Sequence, residues 1–333
     1  MPHDLYMDND KARMMFVDEL PWHGLGTPLD GPATSAEAIK AAGLDWTVRK
    51  VPLFAIEGTG VVPLNAHKGI VPEDRWGKPD CPVFGIVGRD YQPLQNVEAF
   101  EFFDSVVGGA KAIYHTAGAL GKGERIWILA KLNDMMEVTE SDMLENYVLL
   151  STGHDGRTAI KITLTPVRVV CQNTLTVALS RGHEIARAHH NRNMGRHLDH
   201  ARSQIRSLMN GFANLQDSFR AMTQYPMDDK AVERYVERVF PLPARTDDSK
   251  KAERVNIERD KCAQLFRHGK GNDDSEARGT LWAAYNGVTE YVDHWRSRSK
   301  QRHMHNVCFG NGYRIKNRAF QLANEIMGRF TQN

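Results

Sequence analysis

Three groups of residues in this chain have types and spacings that could carry chemistry. The first is the histidine-rich stretch His183-Glu184, His189-His190 and His197-x-x-His200. A metal site needs two or more imidazoles converging, usually joined by carboxylates or thiolates. No HExxH or finger spacing occurs, and Arg181, Arg187, Arg192, Arg196, Arg202 and Arg206 crowd the same stretch and would repel a cation. The segment reads instead as one facing a polyanion, with a solvated surface as the alternative; no metal ligand is assigned.

The second group is Gly118-x-x-Gly121-x-Gly123 with Lys122. A phosphate-cradling loop needs a strand before it, a GK[ST] ending and a helix after it, so that helix-start amides face the phosphates. Here Lys122 precedes a glycine and an extended run follows, so the stretch predicts a hairpin turn. Such a turn can still present Lys122 and Arg125 to a nucleic-acid backbone.

The third group is His154-Asp155, with Ser151 close by and Cys171 and Asn173 further on. A Cys–His nucleophile pair can be drawn from Cys171 and His154. Cys171 lies in the apolar run VRVVC, however, where a buried structural thiol is the usual outcome. No catalytic residue is assigned. An enzyme would have to assemble its site from scattered polar residues, with Asn96, His115, His154, Asp155 and Asn173 as the candidates.

A distributed signal remains. Extended segments bear Arg125, Lys131, Arg157, Lys161 and Arg168 and lead into the Arg/His stretch, with Trp127, Tyr91 and Tyr114 interleaved. A charged groove with aromatic stacking faces is how single strands are bound without reading sequence. The expected nucleic-acid contacts are Lys122, Arg125, Trp127, Arg157, Lys161, Arg168, Arg187, Arg192 and Arg196.

The elements that must position these residues follow from periodicity. Thr34 or Ser35 caps a short helix closed by Gly43, and Asn96 to Val107 is a helix with Val97, Phe100, Phe103 and Val107 on one stripe. Ile113–Thr116, Arg125–Leu132, Tyr147–Thr152 and Thr158–Thr165 are extended. In the second of these, Ile126, Ile128 and Ala130 alternate with outward Arg125, Trp127 and Lys131. Helices dominate after Gln172. The steps Leu198, Ala201, Ile205, Leu208, Phe212, Leu215, Phe219 and Met222 predict one long helix with a coiled-coil-like seam. That seam serves either self-association or an intramolecular pairing with Leu281, Ala284, Val288, Tyr291 and Trp295. Further helices are expected over Asp229–Phe240, Lys250–Phe266 and around Ala319, Leu322, Ile326 and Phe330. The pattern predicts an α+β chain: residues 1–180 an antiparallel, strand-rich domain with a packed helix, residues 181–333 a basic helical region.

Composition sets the bounds. The 333 residues carry 41% hydrophobic and 25% charged residues, ordinary values for a globular chain with a sizeable core. Residues 1–180 hold 16 Lys+Arg against 23 Asp+Glu, and residues 181–333 hold 27 against 18 and nine of the 14 histidines. A basic half favours a polyanionic partner, because each neutralised phosphate releases counterions. Cys81, Cys171, Cys262 and Cys308 lie far apart without a CxxC pair, as in reduced, mostly buried thiols of a cytoplasm. No apolar run approaches the roughly 20 residues that span a bilayer, and the opening residues lack the order of a signal peptide.

The stretches FGIVGRDYQPLQNVEAFEFFDSVV (84–107), TPVRVVCQNTL (165–175) and TLWAAYNGVTEYVDHWR (280–296), followed by GNGYRIKNRAFQLA and preceded by PWHGLGTPL near the start, resemble the phage/plasmid-like protein family, domain of unknown function 932. That resemblance implies a mobile-element origin and no established activity. In layout, strands flanking a helix before a basic helical region, the chain more distantly resembles phage single-strand annealing proteins. Together these readings predict a single-stranded-DNA-binding or annealing protein, a homo-oligomer without cofactor. The alternatives are an enzyme acting on nucleic acid or nucleotides, and a protein-binding inhibitor of host defence.

Overall fold

The structure is a computed structural model, which describes residues 5–17, 24–31, 33–107, 112–168, 173–174, 184–203, 205–243, 249–296 and 311–328. Strands are β1 (Met7–Asp8), β2 (Lys11–Ala12), β3 (Met14–Val17), β4 (Thr27–Leu29), β5 (Val48–Glu57), β6 (Gly60–Pro72), β7 (Gly85–Gly88), β8 (Ala112–Leu120), β9 (Arg125–Thr139), β10 (Asp142–Gly153), β11 (Ile160–Arg168), β12 (Asn173–Thr174) and β13 (Glu184–Ala188). Helices are α1 (Ser35–Ala41), α2 (Asn96–Val107), α3 (Met194–Ser203), α4 (Ile205–Thr223), α5 (Asp229–Val239), α6 (Ser249–His268), α7 (Leu281–Glu290), which continues as a π-turn over Tyr291–Trp295, and α8 (Asn311–Ile326). The chain is therefore α+β, with strands dominating its first half and helices its second.

It forms two compact units, and no single cut near residue 180 separates them. The first comprises Met1–Asn133, Val148–Thr163 and Glu184–Arg206; the second comprises Asp134–Tyr147, Leu164–His183 and Ser207–Asn333. Strands β9, β10 and β11 each run on from one unit into the other, a feature that composition averaged along the chain does not register.

In the first unit the main sheet runs β4-β3-β8-β9-β10-β11, with β13 pairing β11 at the far edge. Strand β8 pairs antiparallel with β3 and β9, β13 pairs antiparallel with β11, and β3 pairs parallel with β4. A separate three-stranded sheet, β5-β6-β7, stands beside it in sequence. Thr34 caps α1 in a reciprocal capping box with Glu37, satisfying two helix-start donors. Helix α2 spans the predicted residues, and Phe100 and Phe103 of the predicted stripe face the core. Ala99, Phe100, Phe102 and Phe103 are buried, whereas Val97 is exposed.

Strand β9 departs from the expected alternation. Ile126, Trp127, Ile128 and Ala130 are all buried, so the strand is covered on both faces. Trp127 stands opposite Gly118, where an added Cβ would come within 2.3 Å of its ring, and its Nε1 donates to Thr116 Oγ1 at 3.3 Å. The missing side chain of Gly118 makes the slot that takes the indole inside.

The expected long helix over Leu198–Met222 is helical on both sides of Gln204, as α3 and α4, and Gln204 lies outside the described residues. Leu198 belongs to the first unit. In the second unit Leu215, Phe219 and Met222 are buried, and the Phe219 ring lies against Trp282, Tyr285 and Phe320 at 5.0–6.1 Å. The end of the seam, Leu215 to Met222, thus packs inside the second unit against α7 and α8, the intramolecular alternative. Gln216 Nε2 and Arg220 Nε both donate to the Glu137 carbonyl at 2.9 Å, tying α4 to the end of β9 in the same unit. Asp142 accepts from Trp282 Nε1 at 2.8 Å, and Lys316 Nζ reaches Asp293 Oδ1 at 2.8 Å with both side chains buried.

Candidate nucleic-acid interface and the histidines behind it

The predicted cations of the first unit are brought together by one loop. In β11, Ile160 and Ile162 point into the core and Lys161 lies half-buried on the other face, but Thr163 is buried as well, so the alternation read from Thr158–Thr165 holds only as far as Ile162. Strand β13 pairs with it antiparallel, with Ile160 opposite Ala188, Lys161 opposite Arg187 and Ile162 opposite Ala186. Directly opposed residues share a sheet face. Lys161 and Arg187 therefore form a cross-strand pair of like charge at the sheet edge.

The loop before β11 carries Arg157, which is exposed. Its conformation is fixed by Asp155. Oδ1 accepts from the backbone N–H groups of Arg157 at 2.8 Å and Thr158 at 2.7 Å, and Oδ2 accepts from the Thr158 hydroxyl at 2.8 Å. Partial burial pushes the Asp155 carboxyl up, but those hydrogen bonds and the Arg125 charge outweigh it and hold the value below the usual carboxylate range. The carboxylate is thus occupied in shaping the turn.

The β8–β9 turn lies against this loop, because His154 N donates to the Glu124 carbonyl at 2.7 Å. Gly121 and Gly123 both take positive φ, as the predicted hairpin turn requires. Lys122 is exposed at its tip, and its N–H donates to the Glu124 carboxylate at 2.6 Å. Arg125 is half-buried beside Glu124 at 3.6 Å. On the far side, Arg192 pairs with Asp90 at 2.7 Å, and Arg196 donates to Asn193 Oδ1 at 2.5 Å. Lys122, Arg125, Arg157, Lys161 and Arg187 thus gather on adjoining turns and strands. Arg168 does not join them. It stands on the part of β11 that belongs to the second unit, opposite Asn173, and its side chain is not among the described groups.

The stacking role expected of the aromatic residues is overturned. Trp127 is 1% exposed and Tyr114 3%. Tyr91 is half-buried, stacked on His190 at 5.0 Å, and donates its hydroxyl to the Gly153 carbonyl at 3.1 Å. These rings build the core and the loop base and offer no open face to a base.

Behind the loop lies a centre the sequence only half revealed. Asn96 Nδ2 donates to the carbonyls of Leu44 and Trp46 at 3.0 and 3.2 Å, which turns Oδ1 towards His154 Nε2, 3.0 Å away. The imidazole must then donate through Nε2, leaving Nδ1 bare, buried and without a hydrogen-bond partner. Phe84 stacks on the ring at 6.2 Å and Trp46 meets it edge-on at 5.6 Å. Complete burial, and secondarily His190, lower its pKa to about 3, so the ring is neutral. His190 is also lowered by burial; its Nδ1 faces the Gln92 carbonyl at 3.2 Å and its Nε2 the Thr152 hydroxyl at 3.4 Å.

Asn96, His154 and Asp155, drawn up as candidates for an enzyme site, do converge. The imidazole is closed off from solvent and the carboxylate is spent on a turn, so the arrangement holds a loop and has no open face for a substrate. Of the other candidates, His115 Nδ1 is buried and the Asn173 side chain is not described. Cys171 and His183 lie outside the described residues. Among the described residues no three His, Cys, Asp or Glu side chains group to hold a metal ion, and no helix is long and apolar enough to cross a membrane.

The two interleaved units, with cations at one sheet edge and a neutral histidine pair behind them, define an α+β chain whose polar centre is built for positioning. The chain belongs to the family described as Domain of unknown function (DUF932), whose model matches residues 83–309, well over half its length. No curated protein and no solved structure matches it.

Proposed function

We propose that this protein binds nucleic acid through the sheet edge formed by β11 and β13 of the first unit, with single-stranded DNA as its ligand. The observation that carries the reading is the register that sets Lys161 directly opposite Arg187, with exposed Arg157 on the loop before them and Lys122 on the turn packed against that loop. A polyanion lying along the edge would gain from these cations, because each phosphate contacted releases counterions.

The burial of Trp127 and Tyr114 narrows the reading. With those rings in the core, contact is made to phosphates and not to base faces, so binding is sequence-tolerant and governed by salt. A mobile-element role in recombination or replication, as the resemblance to annealing proteins implies, is the setting in which such binding would serve. The test is a mobility-shift series with single- and double-stranded DNA and RNA over a range of salt. Binding to single strands that weakens linearly in log–log form supports the proposal. Failure to bind any nucleic acid at low salt ends it.

A further inference from the structure

The distal half of the β5–β6 hairpin carries an apolar face that is exposed among the described residues. The strands are joined by the two-residue turn Gly58-Thr59, and their register sets Phe54 opposite Pro63 and Ile56 opposite Val61. These four side chains alternate onto one face. Phe54 is 51% exposed, Ile56 74% and Val61 60%. Ala55, Val62, Glu57 and Gly60 occupy the other face, and Glu57 is the sole charged residue between Leu53 and Ala66. Nearer its base the same hairpin is well secured. The Val48 N–H and C=O both bond the Gln95 side chain, at 2.9 and 3.0 Å, and Ile70 and Val71 are buried. The contrast marks the outer half as a separate surface, since an isolated two-stranded ribbon is marginal in water unless a face is covered.

We propose that this face is a dimer contact, its occupant the same face of a second copy of the chain. Charge selects the occupant. A surface for phosphates or lipid headgroups needs cations, and the arm has none from Leu53 to Ala66. A face without charge can meet its own copy across a twofold axis with no like-charge repulsion, which an isologous contact demands. Area sets the strength. Phe54, Ile56, Val61 and Pro63 together offer on the order of 400 Å², so two copies cover on the order of 800 Å², the size of a weak, transient dimer and too little for an obligate one. Leu215, Phe219 and Met222 of the α4 seam, which sequence periodicity offers as an alternative interface, are buried inside the second unit.

Sedimentation velocity over a concentration series tests the proposal on the full chain, without nucleic acid. The wild-type protein is expected to show a reversible monomer–dimer equilibrium. Ile56→Lys and Val61→Lys should each weaken it roughly 10-fold or more, the effect of removing one buried aliphatic contact and burying a charge. Glu57→Gln, on the opposite face, should leave it unchanged, and circular-dichroism melting establishes that each variant is folded. A wild-type protein that stays monomeric throughout overturns the proposal, as does a dimer indifferent to Ile56→Lys. Flotation of a monomeric protein with anionic vesicles that Ile56→Lys abolishes would also overturn it, by giving the face to a membrane. The proposal is independent of nucleic-acid binding, and a dimer that binds no DNA leaves it standing.

Discussion

His154 Nε2 lies 3.0 Å from Asn96 Oδ1 across 58 residues of sequence, and Asn96 in turn holds the carbonyls of Leu44 and Trp46. One amide therefore ties the entry to β5, the start of α2 and the loop that carries Arg157. Removing it strands two buried polar groups and the part-buried Trp46 carbonyl at once. Asn96→Ala is expected to destabilise the protein by about 2–4 kcal/mol, more than a single lost hydrogen bond, because each orphaned group keeps its desolvation cost. Urea denaturation of the two proteins measures this. A loss within about 0.5 kcal/mol, the range of an ordinary surface change, would show the amide to be dispensable.

The same centre sets a pH dependence. The folded pKa of His154, about 3, lies below its ordinary value of 6.5, and His190 is lowered too. The unfolded chain therefore takes up these protons first. Stability owed to the neutral rings is fully present above pH 6.5 and drains away as the pH falls towards 3. For His154 the whole effect is at most roughly 5 kcal/mol. Thermal melts of the wild type should fall steeply between neutral and acidic pH, and His154→Gln should flatten that fall while leaving the share owed to His190. Parallel curves for the two proteins would exclude His154 as the titrating group.

Trp127 and Lys316 show where the sequence was legible and where it was not. Periodicity predicted the extent of α2, the β8–β9 turn, the Lys161 face of β11 and most helices of the second unit. Each is a local pattern with a local cause. Trp127 defeated it, because alternation assumes one wet face and β9 has none. The cue that could have placed it is Gly118 in the paired strand, which only the register connects to it. Lys316 reads as one more cation on a basic helix, yet it is fully buried against Asp293. The interleaving of the units was equally hidden, since no composition shift marks a strand that passes from one core to another.

These two residues yield stability predictions of opposite kinds. Trp127→Ala should lower stability by about 3–5 kcal/mol, the cost of a large core ring, and leave the salt dependence of nucleic-acid binding unaltered. Lys316→Met should cost about 3–5 kcal/mol, because it leaves Asp293 charged and buried. Lys316→Met with Asp293→Leu should recover much of that loss, since an apolar pair of similar volume avoids the desolvation of both ions. Denaturant midpoints for the single and double variants complete the cycle. A double variant no better than Lys316→Met alone would mean that the ion pair is not the unit being disrupted.

The cross-strand pair of Lys161 and Arg187 gives the sharpest test of the binding edge. Neither side chain belongs to the hydrophobic core, so Lys161→Glu and Arg187→Glu should leave the melting temperature near that of the wild type. Each should reduce the log–log salt slope for single-stranded DNA by about 0.7, the loss of one phosphate contact. The double variant should lose about twice that, because the two residues address neighbouring phosphates and not one. Arg192→Glu should have a smaller effect, since that guanidinium already spends part of its charge on Asp90 at 2.7 Å. Arg157→Glu should match Lys161→Glu if the loop held by Asp155 points its cation along the same edge. Variants at Lys161 and Arg187 that fold normally and bind with an unaltered slope would remove this edge from the interface, and binding would then have to be sought on the helices of the second unit.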